Sequence, residues 1–264
     1  MSGYFGTERQ QRLQAQAEAG AAFIRATPGA CQIGRMMGCD DPDQLGWDRI
    51  DAILARDGAC GFRLIPAARA ERLRAELATR DFRLDTWNVF LADRATALAA
   101  TASVLDAGLP DGLAQRPLPA DPLSETTRRI QALMHAAGVV PFSGSLLTGA
   151  FGPATTVAIG ADDGSLVAAA HGYLPHNAAS PFRHHAWGGL AAVADSWRGK
   201  GLGTYVNAMM IASLFHDLDA THVYELVGAT NTASRRMVEH CGLSIEPGLV
   251  CGMALPRDER RFTQ

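Results

Sequence analysis

Arg198-Gly199-Lys200-Gly201-Leu202-Gly203 places three glycines and two cations within six residues, between an apolar run and an amphipathic helix. Glycines let a backbone approach a ligand closely and expose its N–H groups. A helix that begins just after them adds unpaired N–H donors and the positive end of its dipole. Because all of these features favour negative charge, this segment, which we call the glycine turn, is typical of a site that holds a pyrophosphate.

The composition describes an ordinary globular chain. Its 264 residues are 47% hydrophobic and 19% charged, enough for one large domain or two small ones. The net charge of −3 gives no electrostatic basis for binding nucleic acid or an anionic membrane, and no apolar run approaches the ~20 residues of a membrane span. The N-terminus is polar, unlike a signal peptide. We therefore expect a cytoplasmic protein whose partners include neither nucleic acid nor membrane.

The cysteines predict no metal site and no disulfide framework. They are odd in number and scattered, without a C-x-x-C pair or a zinc-like spacing: Cys31, Cys39, Cys60, Cys241 and Cys251. We expect buried, reduced thiols.

The first half of the chain predicts helices that alternate with short strands. A helix from Glu8 to about Arg25 begins at the cap Thr7. The remaining expected elements are helices at 45–56 and 67–79 and strands at 62–65 and 82–91. Prolines at 109–122 indicate an exposed linker. The expected division is an N-terminal accessory domain, residues 1–108, and a second domain, residues 109–264.

The second half predicts strands on both sides of the glycine turn. Residues 154–159 and 166–174 are expected to form a hairpin. A strand at 186–193 leads into the turn, and an amphipathic helix follows it. The chain then ends with an expected strand at 222–227, a helix at 231–240 and a strand at 249–255.

Two β-α-β segments resemble each other. One begins at residues 62–65 and ends at 87–91, and the other begins at 224–227 and ends with the final strand. Any β-α-β unit produces such a pattern. Alternatively, the N-terminal half is a degenerate copy of the C-terminal fold, non-catalytic because it has no glycine turn.

Position excludes two other phosphate-binding motifs. A Walker A loop requires Gly-x-x-x-x-Gly-Lys-Ser/Thr, and Lys200 does not have that spacing. A Rossmann fingerprint opens the first β-α unit of a parallel sheet. The glycine turn comes late instead, after an expected antiparallel hairpin.

Residues 192–203 resemble the acetyl-CoA-binding motif of the Gcn5-related N-acetyltransferase (GNAT) family, in which Arg or Gln is followed by x-x-Gly-x-Gly/Ala. Residues 231–243 are similar to a later helix of that family, which opens with Asn and ends in Gly-Phe or Gly-Leu. The resemblance covers roughly residue 113 to the C-terminus. It implies an α/β fold with a mixed, mostly antiparallel sheet flanked by helices. It also implies a splayed pair of central strands that admits the pantetheine arm.

The resemblance implies acetyl-CoA as co-substrate, with no metal. The main chain of Ala192 and Val193 would pair with the pantetheine amides, and an N–H near Val193 would polarise the thioester carbonyl. Asn231 would contact the cofactor arm, although a plain helix N-cap is its alternative role. The implied contacts are Ala192, Val193, Arg198, Gly199, Lys200, Gly201, Leu202, Gly203, Thr204, Asn231 and Ser234. The alternative for Arg198 and Lys200 is that they are solvent-exposed charges of a surface turn and bind no ligand.

The sequence lacks the residue that many family members use for proton transfer. Many family members carry a tyrosine on the later helix that protonates the leaving thiolate, and Val238 occupies that position here. The candidate catalytic residues are Tyr224, Glu225 and His185. One of the neighbours Tyr224 and Glu225 should face the cleft, while a core role for Tyr224 and a packing or surface role for His185 are the alternatives.

These features together predict an acyl-CoA-dependent N-acyltransferase that moves acetyl from acetyl-CoA to a primary amine by direct attack. The acceptor is a small-molecule or peptide amine, and the loop at 175–183 and the N-terminal domain are expected to select it. The sequence leaves open whether the protein forms a homodimer. The alternative is a non-catalytic GNAT-fold module that binds acyl-CoA for regulation, which the missing tyrosine at Val238 favours.

Overall fold

The computed structural model describes residues 3–259, so the extreme ends of the two predicted domains, 1–2 and 260–264, lie outside the described residues. The strands are β1 (Ala30–Ile33), β2 (Met36–Cys39), β3 (Cys60–Pro66), β4 (Phe82–Asp93), β5 (Leu113–Arg116), β6 (Ala154–Ala161), β7 (Leu166–Tyr173), β8 (His185–Val193), β9 (His222–Val227), β10 (Ser244–Ile245) and β11 (Leu249–Pro256).

Helices cover the sheet. They are α1 (Glu8–Ala19), α2 (Ala21–Ala26), α3 (Pro42–Leu45), α4 (Trp47–Asp57), α5 (Ala67–Ala78), α6 (Arg94–Leu105), α7 (Glu125–Ala136), α8 (Gly144–Leu147), α9 (Leu202–Asp217) and α10 (Thr232–His240). A 3₁₀ turn, Asp195–Trp197, precedes the glycine turn. No helix in the described part of the chain is long and apolar enough to cross a bilayer.

A single sheet runs through the molecule in the order β1-β2-β3-β11-β4-β9-β8-β7-β6-β5, with β10 paired to β4. Among the described strands, only β2–β3 and β8–β9 pair in parallel. The sheet is therefore mixed and mostly antiparallel, and the predicted fold class is confirmed.

The strand order repeats on the two sides of the sheet centre. The unit β3-α5-β4 has β11 between its strands, and the unit β9-α10-β11 has β4 between its strands. A hairpin precedes each unit, and its second strand pairs in parallel with the unit's first strand. This repetition supports a degenerate copy of one fold over a coincidental likeness of two β-α-β units.

The expected linker contains a strand. Residues 113–116 form β5, which pairs with β6 at the edge of the sheet, so the prediction of an exposed connection at 109–122 was wrong for these four residues. Their Leu-Ala-Gln-Arg sequence has no β-branched side chain, and pairing with β6 overrides that weak propensity. The sheet is continuous across residue 108 because β4 pairs with β9. The division into domains at that residue stays a prediction.

The first helix is interrupted. Instead of one helix to Arg25, α1 and α2 meet at Gly20, where a Cβ atom would lie 1.8 Å from the Met37 methyl group. A larger residue here would have to displace the end of the Met37 side chain on β2. The predicted cap is confirmed, since the Thr7 side chain accepts a hydrogen bond from the Gln10 N–H.

The core that supports the glycine turn lies beneath α9. This helix packs on β6, β7 and β8 through buried side chains such as Val206, Met210 and Leu214. A second apolar cluster, on α7, α8 and the sheet, contains Ile130 and Tyr224. All five cysteines are buried and free, as predicted.

Candidate active site

The glycine turn is an open concave backbone. Gly199 and Gly201 adopt φ values of +74° and +80°, which favour glycine because an L side chain is strained there. A Cβ atom at either position would meet no other atom within 4 Å. Within residues 3–259, the N–H groups from Gly199 to Thr204 donate to no protein acceptor. Six consecutive amides and the dipole of α9 are therefore available to an anion.

Both cations of the turn lie at its surface. The Arg198 guanidinium is 2.9 Å from the Asp195 carboxylate, with more than half of its side chain exposed. The Lys200 ammonium lies 4.4 Å from the centre of the Trp197 ring. An exposed ion pair contributes about 0–1 kcal/mol, so a phosphate can displace Asp195 from Arg198 at little cost.

The two strands next to the turn separate. β8 and β9 pair in parallel only from His185 with His222 to Trp187 with Tyr224. Beyond that point β8 continues along β7 to Val193, while β9 continues along β4 to Val227. A gap thus opens between the strands and leads to the glycine turn, as the resemblance implied.

A β-bulge shapes the gap wall. The β7–β8 register shifts between Ala169 and His171, and Leu190 in the shifted segment has a φ of +52°. Past the bulge, Ala192 and Val193 pair with β7 on one edge only. Their opposite edge borders the gap, where the Val193 carbonyl accepts a 3.4 Å hydrogen bond from the exposed Arg198 side chain. An extended ligand that displaces this contact can pair with the edge.

The other end of the implied cofactor site is a helix start. Asn231 caps α10 by accepting a hydrogen bond from the Ser234 N–H at 3.0 Å. Both residues are exposed. The first turn of α9 lies between β8 and α10, since a Cβ on Gly203 would lie 3.7 Å from Val193 and 3.8 Å from Met237.

Glu225 lies where the strands begin to separate, on the side covered by α9. Asn207 of α9 donates a 2.8 Å hydrogen bond to its carboxylate. Burial raises the pKa of Glu225 to about 7, against the lowering effect of that hydrogen bond. This carboxyl group can therefore change its charge near neutral pH.

Tyr224, the preceding residue, packs on the opposite side of the sheet in the cluster beneath α7 and α8. Its hydroxyl lies 3.4 Å from His176 Nε2, and His176 Nδ1 lies 2.7 Å from an Asp40 carboxylate oxygen. Because a carboxylate only accepts, Nδ1 carries the proton and Nε2 accepts from the tyrosine. Burial lowers the pKa of His176, although Asp40 opposes this effect.

Comparison with known proteins identifies the domain around this geometry. Residues 137–243 match the model of the acetyltransferase (GNAT) family. We call this matched segment the GNAT domain. It contains the gap, the glycine turn, α9 and α10.

Solved structures share the fold over most of the chain. A GCN5-related N-acetyltransferase from Kribbella flavida is 14% identical, with a TM-score of 0.58, and the match covers 92% of this chain and 93% of that one. A tandem GNAT protein from the clavulanic acid biosynthesis pathway is 12% identical, with a TM-score of 0.53, over 90% of this chain and 86% of that one. At such identities the likeness establishes the fold alone. Curated proteins give no match.

Val238 of the GNAT domain is a core residue. It is 1% exposed and packs with α9 and β9. Cys241, three residues further on, contacts Asn207 at 3.7 Å, and burial raises the pKa of its thiol to about 12. Glu225, linked to the same Asn207, is the titratable carboxyl group of this buried polar cluster.

His185 lies away from the glycine turn, at the start of β8. It pairs with His222, two positions before the Trp187–Tyr224 pair at which the strands separate, and so lies in the closed part of the β8–β9 pairing. Its ring stacks on His222 at 4.3 Å, and burial lowers its pKa to about 4. We assign it no part in the proposed reaction.

Sequence reasoning missed Asp40 and His176. They are 136 residues apart, and no local motif joins them. Together with Cys31 they place possible metal ligands within 4.8 Å of one another. The 2.7 Å contact between His176 and Asp40 has the length of a hydrogen bond, and the buried Arg63 cation nearby opposes a second cation. We therefore treat His176 and Asp40 as a buried hydrogen-bonded pair with the Cys31 thiol beside it.

Proposed function

We propose that this chain is an acyl-CoA-dependent N-acyltransferase that transfers acetyl from acetyl-CoA to a primary amine by direct attack. The GNAT domain supports acyl-CoA-dependent N-acyl transfer in general. The observation that carries the proposal is the gap between β8 and β9, because it leads directly to six unpaired amides. One ligand with an extended arm and a pyrophosphate fits both features.

Residues of the chain fit such a donor along its whole length. The edge of Ala192 and Val193 that faces the gap, unpaired with any strand of the described chain, suits the amides of a pantetheine arm. The amides from Gly199 to Thr204 suit a pyrophosphate, with Arg198 and Lys200 neutralising its charge. Asn231 and Ser234 border the site at the start of α10.

The chemistry requires two proton movements. When bound, acetyl-CoA supplies an activated carbonyl: a C–N bond to the amine forms, the C–S bond breaks, one proton leaves the amine and one is needed at sulfur. Tyr224 and Glu225 lie on opposite sides of the sheet where the gap begins. We therefore assign one proton movement to each of them.

Tyr224 accepts the amine proton in this scheme. Its hydroxyl passes its own proton to His176 Nε2, and Asp40 stabilises the resulting imidazolium through Nδ1. This is the arrangement by which a buried acid orients a histidine base in other enzymes.

Glu225 supplies the proton to sulfur. Its pKa of about 7 keeps a large fraction protonated at neutral pH, and transfer to a thiolate with a thiol pKa near ~8.5 is downhill. Glu225 thereby takes the role of the tyrosine that many family members carry at the position of Val238.

The proposal also includes the division into domains and the cellular compartment. Residues 1–108 form the accessory domain and residues 109–264 the acetyltransferase domain. Five buried free thiols fit a reducing cytoplasm.

Thiol release from acetyl-CoA across a panel of primary amines tests the proposal. We expect release that depends on the amine and yields one N-acetyl product per thiol, measured by mass spectrometry. Tight CoA binding with no release for any amine would instead support the non-catalytic module.

A further inference from the structure

A cavity of about 200 Å³ lies between the N-terminal half and the GNAT domain. Its walls come from α2 and β1 on one side, and from the loop before β6 and the segment after β7 on the other. The walls are mostly apolar, with Ile24, Leu146 and Phe151 among them. This volume is somewhat below the range of ~300–1,000 Å³ typical of ligand pockets, so it suits a small molecule.

The cavity is pre-formed because the two halves are pinned at its edge. Asn177 Nδ2 lies 2.7–2.9 Å from the carbonyl oxygens of Ile24, Thr27 and Ala30. On the opposite wall the Tyr173 hydroxyl accepts a 2.7 Å hydrogen bond from the Gly34 N–H. These contacts fix α2 and β1 against the end of β7.

The cavity reaches the closed end of the strand gap. Tyr173 lies in its wall and pairs with Trp187, the last β8 residue that still pairs with β9. His176 also lies in the wall, and its ring connects to the Tyr224 hydroxyl on β9. A ligand in this cavity therefore lies next to the residues that we assign to amine deprotonation.

Two arginines give the apolar cavity a charge. Arg25 of α2 and Arg183 of the loop after β7 both contribute to its lining, and both are exposed. Neither forms an ion pair with an acid of the described chain. The buried Gln32 side chain also borders the cavity: its amide nitrogen donates to the Gly34 carbonyl at 2.5 Å, while its Oε1 has no partner among the described residues.

We infer that this cavity is the acceptor site and that the acceptor is a small apolar amine bearing a carboxylate. The apolar walls take the body of the molecule, Arg25 and Arg183 bind the carboxylate, and Gln32 Oε1 is an acceptor for an N–H group. Arginine binds carboxylates in paired geometry. This inference rests on the proposed function.

Matched acceptors test it. L-Phenylalanine, L-phenylalaninamide and 2-phenylethylamine share one apolar body and differ in the carboxylate, and the leucine series repeats the comparison. We expect the lowest KM for the acids. Arg25→Gln and Arg183→Gln should each raise KM for the acids about tenfold. They should leave kcat for the acids and KM for the amides within about twofold. Arg128→Gln, at an exposed arginine of α7, is the matched control.

Equal effects on all three acceptors, or none on any, would overturn the inference. Calorimetric titration of L-phenylalanine into the protein with saturating CoA tests the assigned acceptor class independently of the proposed activity. Binding that weakens about tenfold in Arg25→Gln and Arg183→Gln supports the acceptor class even if no amine is acetylated. If wild-type protein neither binds the acids nor prefers them over the amides, the assigned ligand class is wrong.

Discussion

The two halves of the sheet use the same strand–turn–helix order around turns of opposite charge. In the GNAT domain α9 follows Gly201, and in the N-terminal half α4 follows Gly46. The φ values of these glycines are +80° and +83°, and a Cβ on either would meet nothing within 4 Å. Neither helix start has a side-chain cap.

The difference lies in what surrounds each glycine. β8 runs for nine residues and leaves β9 after three paired positions, whereas β2 ends at Cys39 while it is still paired with β3. The residues that follow β2 include Asp40, Asp41 and Asp43. Asp41 caps the short helix α3, and Arg69 pairs with Asp41 and Asp43, so the acidic side chains of this turn already occupy the neighbouring cation.

We infer from this comparison that an open helix start after a glycine with positive φ is not sufficient for an anion site. Cations at the turn and a gap between the strands are needed as well. By this criterion we expect the GNAT domain to bind one CoA and the N-terminal half to bind none.

The largest expected effect is on CoA binding, when glutamate replaces the helix-start glycine Gly201. The same substitution at Gly46 is the control. Gly201→Glu places a negative charge in the proposed pyrophosphate site. Because like charges in contact cost several kcal/mol, the variant should bind CoA about 1,000-fold more weakly. Gly46→Glu places the same side chain at the other helix start, where the backbone (φ +83°, ψ +144°) is even less suited to an L residue than at Gly201 (φ +80°, ψ −6°), and it should leave CoA affinity within about twofold. Calorimetry measures both, with circular dichroism as a check of folding. Equal loss in both variants would mean that strain, and not position, caused it.

Removal of the proposed acid comes next. Glu225→Gln preserves the shape and the hydrogen bond from Asn207 but cannot donate a proton, so kcat should fall about 100-fold with CoA affinity unchanged. Asp57→Asn removes a buried carboxylate from the N-terminal half and should leave kcat within about twofold. Steady-state kinetics across pH decides the matter: undiminished kcat in Glu225→Gln would exclude the assigned role.

The same substitution should change how stability depends on pH. The folded pKa of Glu225, about 7, lies above its ordinary value of 4.5, so the folded state binds this proton more tightly. The free energy of unfolding should therefore fall between about pH 4.5 and 7, by roughly 3 kcal/mol, and level off above pH 7. Glu225→Gln should lack this decline. Urea denaturation at several pH values tests it, and parallel curves for the two proteins would contradict the assigned pKa.

The smallest effect is expected from the surface cations. Arg198→Gln and Lys200→Gln should each weaken CoA binding about three- to tenfold, more at low ionic strength than at high. The equivalent changes beside the other turn, Arg69→Gln and Arg72→Gln, should have no effect. A loss that does not vary with salt would indicate a structural role for the cations.

The sequence predicts the glycine turn and its flanking elements because local spacing alone determines them. Gly199 and Gly201 indicate positive φ, and the following apolar periodicity indicates α9. The β1–β2 hairpin and α6 leave no comparable signal, since Cys, Met and Ala side chains suit several conformations. Asp40 and His176 are brought together only by docking of the two halves, which no local pattern records.

Amide hydrogen exchange with and without CoA compares the two turns most directly, because it reports on the backbone N–H groups themselves. The account predicts that CoA slows exchange in peptides covering residues 188–204 and leaves peptides covering residues 40–50 unchanged. Protection at residues 40–50, or none at 199–204, would contradict the claim that only the GNAT domain holds the acyl donor.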